Sequence, residues 1–162
     1  MAGLTARQGQ RPGVLLVALL SAVLTAGFAA WAASVMLAEL PPPARAIFAA
    51  IALGMAGLES MILAPRRDPR EPTNSLGALL LVLLMHQVTD AARFLVFGMG
   101  VGLASPAASA AAGVAGGCLL VAFAWFRPDL LGSPAARWTR RLVGALLTLA
   151  ALGMFLSEIG IV

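Results

Sequence analysis

Five apolar stretches, each about as long as a bilayer's hydrocarbon core is thick, follow one another in this chain with short breaks of proline and charge between them. A helix rises 1.5 Å per residue, so roughly 20 apolar residues cross about 30 Å of hydrocarbon. The stretches run from about Gly13 to Leu37, Arg45 to Leu63, Leu76 to Leu103, Ala107 to Phe126 and Leu142 to Val162. Only helices and closed barrels satisfy their backbone hydrogen bonds inside lipid, and runs this long are helical. The expectation is an all-α, polytopic membrane helix bundle of about five transmembrane helices, with residues 1–162 forming one transmembrane domain and the lipid bilayer as its main partner.

Charge is scarce and clustered. The chain carries 11 basic residues, every one an Arg, against 7 acidic ones. A phosphate-tracking surface needs basic side chains spread over one folded face outside the bilayer, so nucleic-acid binding is excluded as a function class. Cys118 lies alone within an apolar run, which rules out a disulfide framework or a thiolate metal site. Arg7 and Arg11 precede the first stretch, Arg66, Arg67 and Arg70 follow the second, and Arg127, Arg137, Arg140 and Arg141 lie between the fourth and fifth. The intervening loops hold only Glu39 and Arg45, or small residues around Ser105 and Pro106. Because cytoplasmic loops carry the positive excess, this predicts a cytoplasmic N-terminus and an outside C-terminus in a cell (inner) membrane. A competing reading takes the first stretch as a cleavable signal peptide cut near Ala30 and Ala32. The apolar run through Val35, Met36 and Leu37 favours a retained helix.

Helices associate in lipid through close backbone approach at small residues. Gly98 with Gly102, and Gly113 with Gly117, are expected to mark such contacts. A partial inverted repeat is also legible: Ala52-Leu53-Gly54-Met55 with Glu59 returns as Ala151-Leu152-Gly153-Met154 with Glu158, 99 residues later. On the charge assignment the two copies run in opposite directions, an arrangement used by transporters.

The segment His86-Gln87-Val88-Thr89-Asp90-Ala91-Ala92-Arg93 carries the polar chemistry. In one continuous helix His86, Asp90 and Arg93 share a stripe, flanked by Gln87 and Thr89. An ionised group at mid-bilayer costs at least ~2.5–3.5 kcal/mol, so the stripe is expected to face protein or water. Two readings stay open. In one, Asp90 with the oxygens of Gln87 and Thr89 offers a hard-cation site of the kind Ca²⁺ and Mn²⁺ take, with Glu59 as a second carboxylate. In the other, Asp90 and Arg93 neutralise each other and His86 hydrogen-bonds Asp90. Glu158 reads as a wet helix end. No nucleophile–base pair or cofactor motif points to an enzyme, and no resident cofactor is expected.

The stretch from Gln87 to Pro106 resembles the opening of the second repeat of the Gdt-type calcium/manganese–proton exchangers, a family of the lysine-exporter superfamily. Asp90 stands at that family's motif Asp, Phe94 follows the motif, and Ser105-Pro106 fall where the next helix begins. Residues 107–162 then resemble the remaining two helices of that repeat, and residues 13–63 the last two helices of the first. Gln87, Thr89, Ala91 and Ala92 depart from the motif's Glu, Gly, base and Thr, and only about a dozen mostly polar residues precede Gly13. The resemblance implies a divergent, truncated, bacterial-type member moving Mn²⁺, Ca²⁺ or H⁺ by antiport near Asp90, the one matched motif residue, and the polar reading adds Gln87 and Glu59 to the candidate site. A homodimer would supply a second motif. The alternative is a non-transporting degenerate subunit or interaction protein.

Overall fold

The computed structural model describes residues 12–62, 75–88, 90–131 and 133–161. They form helices α1 (Pro12–Glu39), α2 (Pro42–Ile62), α3 (Leu76–Val88), α4 (Ala91–Gly102), α5 (Pro106–Phe126), the short α6 (Pro128–Leu131) and α7 (Pro134–Glu158). The fold is all-helical, as the apolar runs require. Four helices are long and apolar enough to cross a membrane, and α3 with α4 makes a fifth span. Side chains such as Leu16, Leu81, Leu119 and Leu146 project outward without cover, which in a bilayer is the lipid-facing surface.

Two expectations about boundaries are corrected. The third stretch is not one helix: it bends by 56° between Val88 and Ala91. Asp90 there has extended backbone (φ −81°, ψ 144°) and starts α4 as its N-cap, with its carbonyl accepting from the amides of Arg93 at 2.8 Å and Phe94 at 3.3 Å. Asp is a poor helix-interior residue and a preferred N-cap, which gives the break a local cause. The fifth helix spans 134–158 rather than 142–162. Ser133 accepts a hydrogen bond from the Ala136 amide at 3.1 Å and Pro134 supplies the fixed φ of the first turn, so the helix begins two turns before the apolar residues do.

Contacts along α1 identify α3–α4 as a broken span and not a re-entrant loop. Leu76 lies against Gly13, Gln87 against Ser21 and Thr25, and Gly100 against Ala33. The broken segment therefore runs parallel to α1 over about 20 residues, roughly 30 Å. Antiparallel α5 closes this side, with Gly117 on Ala22, Gly113 on Ala26, and Trp125 clustering with Val14 and Leu79 at the far end. Helix α2 packs on α4 and carries α7 on its other flank. The α1–α2 turn is tied by Arg45, whose Nε donates to the Leu40 carbonyl at 2.7 Å and whose Nη2 donates to that of Leu37 at 3.0 Å, satisfying orphan acceptors at the end of α1.

Small residues set the helix crossings. Gly98 takes the Ala52 methyl and Gly102 that of Ala49, while Gly113 takes Val96. The crossing of α2 and α7 uses a pair the sequence reading missed: a Cβ on Gly144 would sit 2.7 Å from the Gly57 carbonyl oxygen, and one on Gly57 would meet Thr148. These helices are antiparallel, and Gly54 of the first repeat copy lies against Ala151 of the second. The copies are thus level but differently surrounded. A Cβ on Gly54 would touch the Ala151 methyl, whereas one on its counterpart Gly153 would meet open space.

Candidate functional site

The mid-depth residues of α1, α4 and α5 meet where the third span breaks. Polar groups in α1 are silenced first by their own helix. Ser21 Oγ donates to the Ala18 carbonyl at 2.8 Å, and the Thr25 hydroxyl lies 2.8 Å from the Ser21 carbonyl. Gln87, at the last turn of α3, then joins them: its Nε2 donates to Ser21 Oγ at 3.0 Å and its Oε1 lies 3.1 Å from Thr25 Oγ1. Thr25 has one proton for three acceptors, so its hydroxyl chooses among the Ser21 carbonyl, the Ala22 carbonyl at 3.3 Å and Gln87. Gln87 thus bridges α3 to α1 through its Nε2, while its Oε1 accepts at most the single Thr25 proton.

Beyond the break, Arg93 is 93% buried, being only 7% exposed, and its Nε has no hydrogen-bond partner among the described residues. Its guanidinium lies over Gly117, where an added Cβ would sit 3.3 Å from Nη2. Gly117 therefore leaves the room this head group occupies. Asp90 is the carboxylate whose charge acts on Arg93. Next to Arg93 is a cavity of about 140 Å³ whose wall includes Thr25, Phe28, Ala32, Phe94 and Phe97. Phe97 is held edge-on to Phe48 of α2, with ring centroids 5.0 Å apart. Phe28 and Val88, both exposed, form the outer rim.

Of the residues singled out in the sequence, Asp90 and Arg93 stay close enough for the carboxylate's charge to act on the guanidinium, but one is exposed and the other buried. The break rotates α4 against α3, so the shared stripe of His86, Asp90 and Arg93 does not exist: Arg93 points inward, while His86 and Asp90 are exposed. The expected shelter for the Asp90 carboxylate is not there. Thr89 lies outside the described residues. Glu59, on α2, is half-buried. The α2–α4 register, with Gly102 on Ala49 and Gly98 on Ala52, continues to bring Glu59 to the level of Ala91. Glu158 is exposed at the end of α7. No group of three or more His, Cys, Asp or Glu side chains among the described residues is placed to hold a metal ion.

Sequence reasoning named Arg93 only as a partner for Asp90. The cavity beside it could not be inferred, because it is bounded by Phe28 and Ala32 of one helix and by Phe94 and Phe97 of another, more than 60 residues apart. No family model, curated protein or solved structure matches this chain.

Proposed function

We propose that this membrane protein is a carrier for a small solute, with its binding region at the break in the third span. The observation that carries the reading is the discontinuous helix at mid-depth, flanked by a buried Arg with an unpartnered N–H and by a cavity. Irregular backbone within a bilayer is tolerated where protein buries it or it lines a cavity, and transporters build midplane sites from such half-helices. The positive end of the α4 dipole and Arg93 together favour a solute bearing negative charge. On this reading the chain sits in the cell (inner) membrane with its N-terminus cytoplasmic and its C-terminus outside, as the Arg distribution implies.

Cation–proton exchange is the second reading. It draws on the family resemblance and on Asp90 and Glu59 lying at one depth. An exposed carboxylate at that depth costs at least ~2.5–3.5 kcal/mol unless water or another chain covers it, which supports a homodimer in which a second copy screens Asp90. The buried positive charge at Arg93 weighs against Mn²⁺ or Ca²⁺ as the cargo.

Proteoliposomes distinguish these. One set carries lumenal fluorescent reporters of Mn²⁺, Ca²⁺ and pH; a second is loaded with labelled benzenesulfonate, a permanently ionised solute that does not leak as a neutral acid. The carrier reading expects protein-dependent efflux of the anion that Arg93→Gln abolishes. Divalent flux with proton counter-movement would instead select the exchange reading. Absence of flux in every arm removes both and leaves the non-transporting subunit.

A further inference from the structure

Three properties of the crevice between α1 and α4 specify what fits it. The first is an unmatched donor: a guanidinium cannot discharge its proton, and Arg93 Nε has no hydrogen-bond partner among the described residues although the residue is only 7% exposed. The second is the wall. Among the described residues, apart from Arg93 and the Thr25 hydroxyl, which is already hydrogen-bonded, it consists of aromatic and aliphatic groups, with Phe28, Phe94 and Phe97 the largest. The third is size: the pocket, open on one side at the Phe28–Val88 rim, holds about 140 Å³, room on the scale of the ~150 Å³ enclosed cavity that takes up benzene. An inorganic anion would match the charge and waste the wall. A neutral hydrocarbon would match the wall and leave the N–H unpaired.

We propose that this crevice binds a small apolar organic anion with one oxyanion head, carboxylate or sulfonate, its oxygens on the Arg93 guanidinium and its body against Phe28, Phe94 and Phe97. The proposal deepens the carrier reading and rests on it for the meaning of the site, though not for its existence. Entry is lateral, past the exposed rim formed by Phe28 and Val88. Asp90 supplies the resting countercharge from the N-cap of α4, where it stands exposed, and the ligand's oxyanion head takes the inner donor that Asp90 leaves unused. Gly117 keeps the guanidinium from being pushed toward the void.

The test is binding of benzoate to the purified full-length chain in detergent, read by titration calorimetry and by the thermal midpoint. Benzyl alcohol serves as the neutral analogue and chloride as the anion without a body. Benzoate is expected to bind saturably and to raise the midpoint. Benzyl alcohol and chloride should each bind at least about tenfold more weakly, the loss of a charge-assisted hydrogen bond or of the apolar contact. Arg93→Gln should weaken benzoate by a similar factor. If that variant does not fold, Ala32→Phe decides, since it fills the void and leaves Arg93 in place; it should keep the midpoint and lose benzoate. No benzoate binding, equal binding of benzyl alcohol, or undiminished binding by Ala32→Phe each overturns the proposal. Benzoate binding without benzenesulfonate efflux keeps the site and removes the carrier, whereas divalent flux without benzoate binding does the reverse.

Discussion

The seam between α2 and α7 and the seam between α1 and α3–α4 are both helix pairs as long as a membrane is thick, and they are joined by opposite means. At the first, Gly57 and Gly144 bring backbone onto backbone, with Gly54 on Ala151 extending the contact. At the second, the span that meets α1 is interrupted, three polar side chains bond across the interface, and a cavity remains beside a charged one. In lipid there is no hydrophobic drive to pull helices together, so close packing is the cheap way to join them and polar contacts are the expensive way. On the carrier reading proposed above, α2–α7 is the scaffold and the break is the working part.

The largest expected effect comes from breaking the tight seam. Leu at position 57 would have to enter space held by Thr148 and the backbone of residue 144, neither of which can yield without moving α7. Gly57→Leu should cost about 3 kcal/mol, at the upper end of overpacking, measured by unfolding in detergent. A cost below ~0.5 kcal/mol, the scale of an unremarkable surface change, would show the seam to be as compliant as the other and erase the contrast.

Next comes the polar seam. Gln87→Leu removes the bridge to Ser21 and Thr25, but both hydroxyls retain backbone acceptors in their own helix, at Ala18 and Ser21. Since neither is stranded, the loss should be about 1 kcal/mol, in the range of interhelical hydrogen bonds in membranes. A cost comparable to Gly57→Leu would mean that the hydrogen bonds, not the packing, hold this pair together.

How legible these regions were in the sequence follows from the same contrast. Apolar length located α1, α2 and α5 to within about three residues, because crossing hydrocarbon is a requirement each helix meets alone. The small-residue pairs at Gly98 and Gly102 and at Gly113 and Gly117 were visible as spacing. Gly57 and Gly144 were not, since neither has a glycine four residues away in its helix and each acquires meaning only when α2 and α7 cross. The start of α7 was hidden by Arg137, Arg140 and Arg141, which a hydropathy reading discards although Ser133-Pro134 is a sound helix start. The break was missed for a related reason: Asp90 was read as a ligand in a helix interior when its intrinsic preference is to begin one.

A smaller, stabilising change probes how firmly α4 is held at its other end. Ala104 has φ +49°, the left-handed region, in the turn where the Ser105 amide donates to the Gly100 carbonyl at 3.1 Å. Ala104→Gly relieves that backbone and should add roughly 0.5–1 kcal/mol in the same unfolding measurement. Destabilisation would indicate that the turn exploits the Ala methyl and is not merely paying for its conformation.

The smallest stability effect is expected at Asp90, and it sharpens the comparison most. Its carboxylate makes no capping hydrogen bond, its backbone already has N-cap geometry, and Asn caps about as well as Asp. Asp90→Asn should therefore change stability by less than ~0.5 kcal/mol. What it does remove is the charge that acts on Arg93 from outside the cavity. With that countercharge gone, an anion on Arg93 meets less repulsion, so benzoate binding should tighten by a few-fold, about what an exposed charge contributes at such range. Cation exchange requires the opposite: the same substitution should abolish divalent flux and leave benzoate untouched. One conservative variant, read in both assays, thus decides whether the break in the third span is organised around its buried Arg or its exposed Asp.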